Sequence, residues 1–247
     1  MSKFTHILFV FLSTATTVLA VNSTEPPTFQ AGIEAYENSH HATAKTHFLT
    51  VLETNETAAA RHNLGLTELQ LGYPAEAIWQ LERALLLDPF NKDYHDKLNL
   101  VRERLGLAAR TRQWHLLLSQ SISLDVWVII VTASFWLLLA ALIIQGSGRN
   151  KSRSRIKLLR LFSLLILALS LPAIWLNLKI LKTGIVLSSE NAIVHSAPAT
   201  AAPESGFVRP GERVRMLDQH NDFYRVKTQE GSTTGWISKN DFRLLIE

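Results

Sequence analysis

Apolar residues along this chain fall into three arrangements, and each predicts a different kind of element. Two runs are almost continuously apolar: Ile122–Ile144, charged only at Asp125, and Leu158–Leu178, charged only at Arg160. A helix needs about 20 such residues to cross roughly 30 Å of hydrocarbon. The runs therefore predict two transmembrane helices, at residues 122–144 and 158–178. Pro172 inside the second is compatible with a membrane helix, where neighbours satisfy the freed carbonyl. Trp127 and Trp175 lie towards segment ends, where aromatic side chains anchor spans at the interface. A shorter apolar core, Ile7–Leu12, follows Lys3 and precedes the small residues Val18 and Ala20. That order predicts a secretory signal peptide over residues 1–20.

Between the leader and the first run, apolar positions recur at helical spacing. Residues 58–91 form a 34-residue unit that carries Leu64-Gly65, Gly72-Tyr73, Ala77, Leu81, Ala84 and Asp88-Pro89. It resembles a tetratricopeptide (TPR) repeat: the first glycine lets two helices approach, and the proline stops the second one. Arg61 departs from the pattern, since an aromatic residue is usual there. An upstream copy, offset by 33 residues, places Gly32, Ala44, Phe48 and Val51 against Gly65, Ala77, Leu81 and Ala84, with Ser39-His40-His41 in place of the glycine turn. Downstream, Asp93–Leu105 repeats apolar residues at Tyr94, Leu98, Val101 and Leu105, as an amphipathic end helix would. Residues 25–105 are thus expected to hold TPR repeats with a capping helix. In the register of such repeats, Gln30, Ile33, Glu37, His62, Asn63 and Leu66 face the peptide groove or are simply solvated helix positions.

From Gly184 the pattern changes to short alternations broken by Gly, Pro and Asn. Strands are expected at Ala192–His195, Arg213–Leu217, Phe223–Lys227 and Thr234–Ile237, with Ala197–Gly206 a loop. Ala192–Pro198, Pro210-Gly211-Glu212, Phe223–Val226 and Gly235-Trp236-Ile237 followed by Asp241-Phe242 make residues 184–247 resemble a bacterial SH3 (SH3b) domain. The resemblance implies a small barrel. Tyr224 and Trp236 either form its ligand face or pack its interior.

Charge then fixes direction. Residues 25–105 carry 7 Lys/Arg against 12 Asp/Glu, and residues 185–247 carry 7 against 8. The run from residue 146 to 160 holds six basic side chains and no acid, so the net charge of +4 is local to it. A basic arm for nucleic acid would not sit in 13 residues between two spans. Short Lys/Arg-rich loops stay cytoplasmic, so residues 145–157 are expected to turn in the cytoplasm of a bacterial inner (cytoplasmic) membrane protein. The TPR and SH3b regions then both lie outside.

The expected fold class is multidomain: an all-α TPR helical repeat, two transmembrane helices and a small all-β SH3-like barrel. This order of modules resembles the BatE-like TPR/SH3 family of Bat aerotolerance operons. The resemblance implies neighbours in the envelope, membrane proteins with von Willebrand type A domains and a MoxR-type ATPase. No cofactor is expected. The absence of cysteine removes thiol nucleophiles and thiolate metal sites, and the histidines stand without companion acids, so an enzyme is not expected. His40, His41 and His47 read as a polar turn. A membrane-anchored scaffold is the expected role, and a peptidoglycan-binding adaptor acting through the SH3b region is the alternative.

Overall fold

The computed structural model describes residues 27–110, 122, 124–146, 153–228 and 233–246. The expected signal peptide and the centre of the basic loop, residues 147–152, lie outside them.

Five helices come first: α1 (Pro27–Glu37), α2 (His41–Thr54), α3 (Ala58–Gln70), α4 (Pro74–Leu87) and α5 (Lys92–Arg104). Local chemistry sets their ends. The Thr57 hydroxyl accepts from the Ala60 amide at 3.2 Å to cap α3, and Pro74 opens α4, where its missing N–H costs nothing. Asn91 caps α5 by accepting from the Tyr94 amide at 3.4 Å. The two helix pairs meet where the sequence is small. A Cβ at Gly32 would fall 2.7 Å from the Phe48 ring, and one at Gly65 would lie 3.0 Å from Leu81 Cγ. The turns also correspond. Gly72 has φ +84° between α3 and α4, and Ser39, 33 positions earlier, takes the same left-handed region at φ 62°. Serine fills the place of glycine there at a modest steric cost.

Two long helices follow. α6 (Leu124–Gly146) and α7 (Arg153–Leu181) are long and apolar enough to cross a membrane. α7 begins inside the basic run, so Arg153 to Lys157 continue the helix rather than form a loop. The helices pack on each other through small buried residues, Ser134 and Ala141 on α6 with Ser163, Ser170 and Ala173 on α7. Small side chains at such spacing let two backbones approach where no hydrophobic effect drives them together. Ile129, Trp136 and Ile143, also seven apart, are each more than 60% exposed. That row is the lipid-like side of α6.

Seven strands complete the chain: β1 (Thr183–Val186), β2 (Ala192–His195), β3 (Glu204–Val208), β4 (Arg213–His220), β5 (Phe223–Thr228), β6 (Thr234–Ser238) and β7 (Phe242–Leu244). They form one antiparallel, curled sheet in the order β3-β2-β6-β5-β4-β1-β7. The expected strands are β2, β4, β5 and β6. Three more were hidden in the sequence. β1 is buried at every position, so it shows no alternation to read. β3 takes in Glu204–Gly206 of the expected loop; it is a mostly polar edge strand. β7 has only three residues.

Three cores hold these parts together. Phe29, Phe48, Val51 and Leu64 fill the first, among α1 to α3. Val194, Val214, Val226 and Ile237 fill another inside the sheet. The third is shared: Ile78, Trp79 and Leu85 of α4 and Leu98 and Val101 of α5 pack with Ile185 of β1 and Leu245 beyond β7. The helical region and the sheet are therefore joined by a common apolar core, although about 70 residues of chain separate them.

Candidate functional site

The joint between helices and sheet carries the most concentrated polar chemistry among the described residues. Its centre is Glu82 on α4, whose side chain is fully buried. Arg110 donates to its Oε2, and Arg213 of β4 stands 3.5 Å from the same oxygen. Arg102 of α5 lies close by, with its Nε donating to the Ala108 carbonyl at 2.8 Å. Burial pushes the Glu82 carboxyl up, but the field of Arg110, Arg213 and Arg102, with His95 behind them, outweighs it and holds the group below the usual carboxylate range. Burial in turn lowers Arg213 and Arg102, and Glu82 partly restores both.

A second cluster surrounds Trp79. Its indole N–H donates to the Leu244 carbonyl at 2.8 Å, which ties α4 to β7. The guanidinium groups of Arg61, Arg83 and Arg243 lie 5.1, 5.9 and 5.1 Å from the ring, within cation–π range. Arg83 also donates to the Leu245 carbonyl, and Glu56 accepts from both Arg61 and Arg83. Burial alone would raise Glu56, but the two arginines lower it overall. Between the clusters the Pro210-Gly211 turn presses into the helices. Gly211 has φ +74°, and a Cβ there would stand 2.5 Å from Ile78 Cδ1.

Sequence reasoning missed this joint. The available signal was α4 itself: PAEAIWQLERALLL is apolar most of the way round, which marks a helix buried on more than one side. Glu82 in that surface required a cationic partner.

The six groove residues occupy α1 and α3, which the fold sets in contact. Gln30 and Glu37 are exposed, and Ile33 is half-buried against the first core. Asn63 is half-buried and donates to the Ala59 carbonyl at 3.1 Å, while Leu66 is half-buried. His62 differs from the rest. It is only 8% exposed and stacks on Tyr94 of α5 with ring centres 4.4 Å apart. Asp93 lies 3.6 Å from its Nε2. Burial lowers the His62 pKa, Asp93 opposes this, and Lys97 adds to it; the net shift is downward.

That shift has a defined pH signature. The unfolded chain takes up the His62 proton near the ordinary value of 6.5 while the folded one resists it, so stability rises with pH through this window. Unfolding midpoints measured between pH 8 and pH 5 should fall on acidification. His62→Phe, which keeps the stack on Tyr94, should fall less. Parallel curves for the two proteins would exclude His62 as a contributor.

The two aromatic candidates of the sheet leave it on opposite faces. Tyr224 pairs with Ile237 and turns inward, edge-on to Phe242 at 5.2 Å between ring centres. Trp236 pairs with Arg225 and His195 and turns outward, half-exposed, with the His220 ring 6.3 Å away. A single ligand face therefore includes Trp236 and its neighbours, and Tyr224 belongs to the packing.

Comparison with curated proteins and with solved structures gives no match. Comparison with protein families places residues 190–242, the sheet from just before β2 to the start of β7, in the bacterial SH3 domain family.

Proposed function

We propose that this chain is a membrane-anchored extracytoplasmic scaffold of the bacterial inner membrane, working within a Bat-type aerotolerance complex. One observation carries the reading: the helices before α6 and the SH3 sheet after α7 share a buried core. Two regions so joined occupy one compartment, and an even number of crossings between them satisfies that. The basic run between α6 and α7 favours the cytoplasm for the turn, which leaves the joined body outside. The paired helices with matching left-handed turns at Ser39 and Gly72 support the TPR reading. A TPR groove and an SH3 domain are both modules for holding other proteins, and the family resemblance points to von Willebrand type A domain membrane proteins and a MoxR-type ATPase system as the neighbours.

Two measurements test this. Reporters active only after export should work when fused after residue 115 or residue 247 and fail at residue 150. The reverse pattern would overturn the topology. Crosslinking in membranes followed by purification of the full chain should recover envelope membrane proteins, and Gln30→Ala with Leu66→Ala should reduce that recovery. If sacculi co-sediment with the purified chain and no membrane protein crosslinks, the wall-binding adaptor replaces the scaffold.

A further inference from the structure

The SH3 sheet is attached to α7 by a single residue. α7 ends at Leu181 and β1 begins at Thr183, whose hydroxyl donates back to the Lys179 carbonyl at 2.8 Å. Near that end of the helix the Lys179 ammonium lies 3.1 Å from the centre of the Trp175 ring, an aromatic and basic pairing typical of a membrane–water boundary. The start of β1 is thus held at the lipid interface once α7 spans the bilayer.

Register shows which end of the sheet shares that level. β4 runs antiparallel to β1, with Arg215 opposite Thr183, and the Met216 amide donates to the Lys182 carbonyl at 2.7 Å. From there β4 continues past the start of β1, back in the direction of the helix, as far as His220. His220 pairs with Phe223, Phe223 with Ser238, and Trp236 with His195. Ile193, two residues before His195, therefore lies at this same end and pairs with Phe207. With one bulge in β4, this end of the sheet lies about 14 Å beyond the start of β1.

The large apolar side chains that the sheet exposes are distributed unevenly. Among the described residues they are Ile193 at 46%, Phe207 at 62% and Leu217 at 42%, and all three lie on this overshooting part. The opposite side of the domain, with β1, β7 and the Pro210-Gly211 turn, is already covered by α4 and α5. Asp218, His220 and Asp222 share the overshooting end, so attraction to anionic headgroups does not explain it.

We propose that this end of the SH3 domain rests on the bilayer, inserting Phe207, Ile193 and Leu217 among lipid headgroups beside the end of α7. The occupant of this surface is lipid, held by apolar burial, and zwitterionic lipid suffices. The proposal rests on α6 and α7 spanning the membrane.

The chain has no cysteine, which makes site-specific labelling direct. Full-length Phe207→Cys and Ile193→Cys, each carrying an environment-sensitive fluorophore, would be placed in nanodiscs of zwitterionic lipid. Thr234→Cys, at the far end of β6, is the aqueous control, and Ile129→Cys on α6 is the control for the span. Headgroup-proximal nitroxide lipids should quench the probes at 207 and 193 about twofold more than the probe at 234, and iodide should quench them less. Quenching at 129 without quenching at 207 and 193 would overturn the docking while leaving the span intact. No lipid quenching at 129 would overturn the membrane reading itself. Shielding of 207 and 193 from both lipid and iodide quenchers would assign the surface to a protein partner and overturn the proposal. Because the labelled positions are exposed, an unchanged unfolding midpoint should accompany each variant.

Discussion

Glu82→Ala should destabilise the full-length protein by about 3–5 kcal/mol, the cost of removing one partner from a buried ion cluster. The substitution leaves Arg213 and Arg110, whose side chains are only 12% and 14% exposed, facing each other and Arg102 with no counter-charge. Glu82→Gln keeps the shape and should recover little, because charge rather than volume is lost. Replacing both members with apolar residues, Glu82→Leu with Arg213→Met, should recover a large part, since a buried pair is costly to desolvate and its uncharged replacement is often near neutral. Chemical unfolding of the protein in nanodiscs measures all three. A Glu82→Ala protein as stable as its parent would sink the idea that this cluster holds the joint. The same carboxylate adds an acid limit: its contribution is present above the ordinary carboxylate value and is lost as pH falls through the lowered folded value.

Trp79→Ala should cost about 3–5 kcal/mol in the same assay, the usual range for removing a large buried aromatic side chain. It empties the space among Arg61, Arg83 and Arg243 and removes the donor to the Leu244 carbonyl. Trp79→Phe keeps an aromatic face but not the N–H, and should cost about 1 kcal/mol for the hydrogen bond. Amide exchange in β7 should accelerate more in Trp79→Ala than exchange in β5, because β7 is the strand the indole holds. Equal acceleration in both strands would mean that Trp79 supports the whole sheet and not the joint.

Much of the architecture was legible because it depends on short-range pattern. The two apolar runs coincide with α6 and α7 to within a few residues. The paired glycines Gly32 and Gly65 were readable as close helix contacts because both stand at matching places in a repeat. The sheet was only half visible. A strand such as β1, buried on every side by another module, loses the alternation that marks strands, and its surroundings lie more than 100 residues away in α4. The joint was hidden for the same reason: Glu82, Arg110 and Arg213 share nothing in sequence and meet only through tertiary packing. His62 was misplaced because helical register sets a face but does not say whether α5 comes to cover it. Tyr224 and Trp236 were grouped by composition, while the odd–even rule of a strand separates them.

The one-residue link at Lys182 has a mechanical consequence. Chain passes from α5 through α6, α7 and β1, and the joint at Glu82 and Trp79 returns it to α4. The membrane hairpin is thereby closed into a ring, with covalent chain on the basic-run side and a noncovalent clasp on the other. In such a ring α7 has no slack with which to tilt or rotate alone, since any turn of the helix is delivered to β1 with no flexible linker to absorb it. Movement of the spans and strain at the clasp are then two ends of one lever.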